Sequence, residues 1–143
     1  MKKYIFFIIC CLLLFTGCTN TTTINNKESD LKMSNIKVTI NDKTYTLKLE
    51  DNDTTEEFIN LLPQEFTMNE LNGNEKYVYM EKSLTTNSYN PKHIEQGDVM
   101  LYGDNCLVIF YKSFDTSYTY TKIGHIDNLS ELENDSIIVK FEK

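Results

Sequence analysis

From Ile36 onward, apolar residues fall on every second position: Ile36, Val38 and Ile40, then Tyr45, Leu47 and Leu49 beyond the polar turn Asn41-Asp42-Lys43. Period-two alternation on both sides of a short polar turn predicts a β-hairpin with one buried face. The pattern then changes. Asn52-Asp53-Thr54-Thr55-Glu56-Glu57 places cap residues and two acids ahead of Phe58, Ile59, Leu61 and Leu62 at helical spacing, and Pro63 follows. This predicts a helix of two to three turns ended by the proline, whose early acids answer the helix dipole and carry no catalytic role. Asn72-Gly73, which accepts the positive φ values of a tight turn, marks a second hairpin between Phe66 and Met68 on one side and Tyr77-Val78-Tyr79-Met80 on the other. After a loop over residues 84–97, Gly103-Asp104-Asn105 joins Val99-Met100-Leu101-Tyr102 to residues 106–111 in a third hairpin. The second strand of that hairpin is apolar on both faces and is therefore central. Residues 118–126 and 137–141 supply two further strands, with a short helical turn around 129–132 between them. Roughly eight strands and one real helix predict a mainly β fold, a small closed eight-stranded barrel with one short helix, because open sheet edges would invite aggregation.

Ahead of this domain, at residues 36–143, the chain has a different character. Lys2 and Lys3 precede an unbroken apolar run over residues 4–15, which ends in Thr16-Gly17-Cys18. A charged start, a short apolar stretch and small residues before a cleavage point form a secretory signal, and the run is shorter than the roughly 20 residues of a transmembrane helix. Phe15-Thr16-Gly17-Cys18 resembles the bacterial lipoprotein box, with Phe15 where Leu is usual. The resemblance implies cleavage after residue 17, a diacylglyceryl group on the Cys18 sulfur, and anchoring on the extracytoplasmic face of the cell membrane. Residues 18–35 are polar and without periodicity, as a tether would be. Cys10 and Cys11 leave with the signal and Cys18 is acylated, so Cys106 remains alone in the domain and no intramolecular disulfide can form. Its apolar neighbours Leu107, Val108, Ile109 and Phe110 make it a buried structural thiol rather than a nucleophile.

Composition narrows the chemistry. The 143 residues carry a net charge of -7, and the 14 basic residues are all Lys; Arg, Ala and Trp are absent. Loss of Lys2 and Lys3 leaves 12 Lys against 21 acids, or -9. Such a surface repels phosphate backbones, so no nucleic-acid partner is expected. His93 and His125 are the only histidines, and no Cys or carboxylate cluster has ligand spacing, so neither a metal nor another cofactor is expected. Alternation makes His125 a wall residue of the strand around Ile123 and Ile126. No Gly-X-Ser-X-Gly elbow and no glycine-rich phosphate loop occurs, which argues against that serine-hydrolase class and against nucleotide hydrolysis. Tyrosine is the unusual feature: Tyr45, Tyr77, Tyr79, Tyr89, Tyr102, Tyr111, Tyr118 and Tyr120 all lie in the mature chain. A ring with a polar tip suits half-buried barrel walls as well as binding surfaces. Residues 111–120 form the best candidate for a ligand-facing loop with its flanking strands, and Tyr102, Phe110, Tyr111, Phe114, Tyr118 and Tyr120 are the candidate ligand-binding residues.

The order of motifs carries a resemblance of its own. Leu49-Glu50-Asp51-Asn52, Leu61-Leu62-Pro63, Met68, residues 71–77 (LNGNEKY), 97–102 (GDVMLY), 107–114 (LVIFYKSF) and 120–124 (YTKIG) together resemble the bacterial cyclophilin-like family over residues 36–143. The resemblance implies a cyclophilin-type eight-stranded barrel, which agrees with the strand count. Cyclophilins isomerise X-Pro bonds with an essential Arg, aided by Phe, Gln, Trp and His, whereas this chain lacks Arg and Trp. Gln96-Gly97-Asp98 is similar to the family's Gln-Gly-Gly-Asp run but lacks one Gly and the preceding Phe-Met pair, so no catalytic residue is carried over. Two functions are left as expectations. One is a membrane-tethered, non-catalytic module that binds a peptide or small molecule; the alternative is an extracytoplasmic prolyl isomerase with non-standard residues.

Overall fold

Asn41 takes a left-handed backbone with φ 50°, a conformation Asn tolerates, and so turns β1 (Asn35–Ile40) back onto β2 (Lys43–Leu49). The computed structural model describes residues 33–143; Cys18, the signal and residues 18–32 of the tether lie outside the described residues. In the register of this hairpin Ile36 faces Leu47 and Val38 faces Tyr45, and Ile36, Val38, Ile40 and Leu47 are all buried. Helix α1 (Asp53–Asn60) begins where the Asn52 side chain accepts the backbone N–H of Thr55 at 2.9 Å. The same Asn52 donates through Nδ2 to the Lys122 carbonyl at 2.8 Å, and Thr54 donates to the Thr85 carbonyl at 2.6 Å. Phe58 on its inner face is fully buried edge-on to Phe141, with ring centroids 5.3 Å apart. Pro63 follows in a cis peptide bond.

Asn72 and Gly73, at φ 56° and 70°, connect β3 (Gln64–Leu71) to β4 (Glu75–Tyr79) as the Asn-Gly pair predicts. The remaining strands are β5 (His93–Ile94), β6 (Asp98–Tyr102), β7 (Cys106–Phe110), β8 (Phe114–Asp115), β9 (Thr121–Ile126) and β10 (Ile137–Glu142). Eight of them close an antiparallel barrel in the order β1, β10, β3, β4, β7, β6, β9, β2, with β2 returning to β1; β5 and β8 pair separately as a short ribbon.

Strand β7 is central, as its two apolar faces predict, and each face packs into its own core. Leu107 and Ile109, continued by Tyr111, point into the barrel with Val38, Leu47, Met68, Val99, Leu101, Ile123, Val139 and Phe141. Each fully buried aliphatic chain of this kind contributes about 1.5–3 kcal/mol. Cys106, Val108 and Phe110 point outward and are covered by Ile94, Met100 and Tyr120, with Tyr77 and Phe114 packed at the margin. Met100 belongs to the neighbouring strand β6, while Ile94 comes from the long loop and Tyr120 from the segment before β9. Tyr89 and Tyr120 exchange backbone hydrogen bonds of 2.9 and 3.0 Å, and His93 and Ile94 of β5 stand opposite Asp115 and Phe114 of β8.

Two local expectations are corrected. The helical turn around 129–132 does not form: Asn128 adopts φ 54° just ahead of it, and carbonyls at its start and just beyond its end serve distant side chains. Gln96 Nε2 donates to the Leu129 carbonyl at 2.5 Å, and Lys76 Nζ donates to those of Glu133 and Asp135 at 2.5 and 2.7 Å. The strand expected over 118–126 starts only at Thr121, since the hydrogen bonds of Tyr120 go outward to Tyr89 rather than into the barrel ladder.

Candidate functional site

Alternation along β4 turns Glu75, Tyr77 and Tyr79 to the outside of the barrel and Lys76 and Val78 to the inside. The ladder between β4 and β7 then sets Glu75 opposite Phe110, Tyr77 opposite Val108 and Tyr79 opposite Cys106, while Tyr102 of β6 faces Cys106 from the other side. Tyr118 and Tyr120 rise beside Tyr102 and form the far wall. The result is a groove of about 290 Å³ with Val108 and Cys106 on its floor, five tyrosines around it, Glu75 inside it and Leu71 and Asn72 at one end.

The rings stand nearly perpendicular to one another. Tyr77 and Tyr79 meet at 80° with centroids 5.9 Å apart, and Tyr102 and Tyr118 at 89° and 6.0 Å; Tyr102 and Tyr120 are tilted at 54° and 5.7 Å. Tyr120 is buried and backed edge-on by Phe110 at 5.4 Å, whereas Tyr118 is 61% exposed at the rim. Glu75 is only 9% exposed. Burial, with the nearby Glu70 charge added to it, pushes its carboxyl above the ordinary value; a hydrogen bond from Asn72 offsets part of this. Burial, with the Glu75 carboxyl close by, also drives the Tyr120 phenol up to about 12 and raises the Cys106 thiol. Both stay protonated at neutral pH, so Cys106 is not an activated nucleophile. Tyr79 also borders a second depression of about 520 Å³, lined by Leu61, Gln64, Phe66 and Lys82 among others.

Of the residues singled out in the sequence, Tyr102, Tyr118 and Tyr120 line the groove together. Phe110 and Phe114, 5.6 Å apart, lie behind that wall as its support. Tyr111 is elsewhere. One residue beyond Phe110 it turns into the barrel, where its hydroxyl donates to Glu70 Oε2 at 2.8 Å and the Lys76 ammonium lies 5.1 Å from its ring centroid. Glu75, Tyr77 and Tyr79 were missed as site residues. Their period-two spacing was visible, but only the neighbouring strand identifies which face of β4 joins the groove.

Other polar clusters serve the scaffold. Asp98 is buried and its carboxylate is shared between His125 Nδ1 at 3.0 Å, Lys122 Nζ at 3.1 Å and the Glu95 N–H at 3.0 Å. This pins the β6–β9 ladder where its register shifts between Val99 and Met100. The exposed His93 ring bonds Asp115 at 2.6 Å, and this hydrogen bond raises its pKa. Among the described residues no group of three His, Cys, Asp or Glu side chains could hold a metal ion.

The model of a family described as the cyclophilin-like family matches residues 38–142, nearly the whole barrel. The chain belongs to the cyclophilin-like family. Searches of curated proteins and of solved structures returned no match. In this cyclophilin-like domain Gln96-Gly97-Asp98 forms a structural corner. The Gln96 amide is committed to the Leu129 carbonyl, Gly97 takes φ 101°, and Asp98 holds the cluster just described. The Gly97 N–H donates to Phe110 O at 2.7 Å while its own carbonyl accepts from Ile126 at 2.8 Å.

Proposed function

We propose that this chain is a lipoprotein anchored through a diacylglyceryl group on Cys18 at the extracytoplasmic face of the cell membrane, whose cyclophilin-like domain binds a peptide or small ligand without catalysing its isomerisation. The observation that carries the binding reading is the groove between β4, β6 and residues 118–120. Five tyrosines and one buried carboxyl line it together, over a floor that is already packed. Rings with hydroxyl tips give contact area and hydrogen bonding together at low entropic cost. Against isomerase chemistry stands the charge of the site. The barrier to X-Pro rotation is about 18–20 kcal/mol, and its reduction calls for a cation at the twisted amide, yet the groove is lined by no Lys and the chain has no Arg.

Two measurements test the proposal. Replacement of Cys18 by Ala should shift the protein from the membrane to the soluble fraction, and retention of the variant in the membrane refutes the anchor. Titration of the full chain with proline-containing peptides, followed by two-dimensional NMR, should show shifts around the groove without exchange peaks between cis and trans peptide. Exchange peaks would establish an isomerase instead.

A further inference from the structure

We infer that the tyrosine groove is a receptor for a small organic cation carrying a methylated ammonium group. The inference rests on the binding reading above and names its ligand class.

Three features carry it. The first is ring geometry. A cation is held by the negative faces of aromatic rings, most strongly when several faces converge from different directions. Here the Tyr77–Tyr79 pair stands on one side and the Tyr102–Tyr118 pair on the other, and because the two rings of each pair meet edge-on, the four line the groove in different orientations rather than as one flat stack. The second is charge. Glu75 lies in the groove, 9% exposed, and among the described residues it forms no ion pair, because the adjacent Lys76 ammonium points to the opposite face and is bound to Glu70 at 2.6 Å. A buried carboxyl without a counter-ion is costly to leave alone and is satisfied by a ligand that brings a positive charge. The groove contains no lysine, and the three lysine–ring contacts of the described residues involve Tyr45 and Tyr111 rather than the groove rings. Among the described residues no lysine therefore competes for the charge-accepting surfaces of the groove rings.

The third feature is size. A volume of 290 Å³ is that of roughly ten water molecules in the liquid, enough for a methylated ammonium head and a short tail. Methylation follows from the lining. A primary ammonium is strongly hydrated and needs three acceptors in place of its water, whereas a methylated one is weakly hydrated and gains most from ring faces. The net charge of -7 favours the approach of a cation.

The test is calorimetric and NMR titration of the full chain in a maltoside detergent with choline, and with its neutral isostere 3,3-dimethylbutan-1-ol. Choline should saturate with a Kd of order 1 mM or tighter and shift the resonances of the groove; the isostere should bind at least about tenfold more weakly. Tyr102→Leu and Tyr118→Leu should each weaken choline about fivefold or more, while Tyr102→Phe, which keeps the ring, should bind nearly as the natural chain does. Glu75→Gln should weaken choline without weakening the isostere. Equal affinity for the two ligands, or groove shifts with proline peptides alone, overturns the cation inference and leaves the binding module standing. No groove shifts with choline, the isostere or the peptides overturns both.

Discussion

Lys76 is fully buried, and the structure specifies what its removal would leave behind. Its ammonium meets Glu70 Oε2 at 2.6 Å and the carbonyls of Glu133 and Asp135 at 2.5 and 2.7 Å, beside the Tyr111 ring. It thus ties the tip of the β3–β4 hairpin to the irregular segment before β10. In Lys76→Ala, Glu70 loses its counter-ion and two carbonyls lose a charged donor. Breaking a buried pair by removing one partner costs about 3–5 kcal/mol, and the 20% exposure of the Glu70 side chain, which lets water reach it, places the estimate at the lower end, about 3 kcal/mol. That is a large part of the roughly 5–15 kcal/mol by which a domain is stable. Burial alone would raise the Glu70 carboxyl, but the hydrogen bonds from Lys76, Tyr111 and Gly73 outweigh it and hold the carboxyl below its ordinary value. Its contribution to stability is therefore present above the ordinary carboxylate value and is lost as pH falls through the lowered one. Urea denaturation of the full chain, followed by tyrosine fluorescence, should show the midpoint of Lys76→Ala well below that of the natural chain, with an unchanged slope. The variant should also lose part of the stability difference between neutral and acidic pH. A loss under about 1 kcal/mol, or an unchanged acid profile, refutes the assignment of Lys76 as the clasp of this end of the barrel.

Two further outcomes follow from the geometry. Gly97 has φ 101°, and a Cβ built there would lie 2.3 Å from the Ile126 carbonyl oxygen, so Gly97→Ala should cost about 2 kcal/mol or more in thermal unfolding; a Tm within a degree of the natural chain contradicts this. Burial raises the Glu75 carboxyl, so the stability tied to its protonated form is lost as pH climbs through the raised value. Glu75→Gln keeps a neutral group at that position and should therefore be more stable than the natural chain at pH 7 in the absence of ligand, the two converging in acid. A lower Tm at pH 7 would show that the carboxylate stabilises the empty groove.

Much of the barrel was legible because its signals are local. Asn41 and the Asn72-Gly73 pair enter the left-handed region where a hairpin must turn, and Asn52 supplies the cap that starts α1. Apolar alternation along β1, β2 and β10 marks a buried face whatever the partner strand is. The two apolar faces of residues 106–110 announced a strand covered on both sides. What covers the outer side had no local signature: β5 and β8 are two residues each, and Tyr120 left the expected strand to pair with Tyr89. The turn around 129–132 failed for a related reason, since the Leu129 carbonyl is taken by Gln96, which is distant in the chain, and Lys76 holds the carbonyls of Glu133 and Asp135 just beyond it.

The amino-acid sequence by itself determined the strands, the helix, the hairpin turns and the richness in tyrosine, because turn chemistry and side-chain period act over a few residues. It also determined the closure into a barrel, through the need to leave no open edge. Only the tertiary structure decided which tyrosines meet. Tyr102, Tyr118 and Tyr120 join Tyr77, Tyr79 and Glu75 because β4 pairs with β7 across about thirty residues of chain, and Tyr111 is turned into the barrel by a single step of the pleat. Alternation assigns each residue a face, but the choice of neighbouring strand is a long-range packing decision, and the groove exists only where three such choices meet.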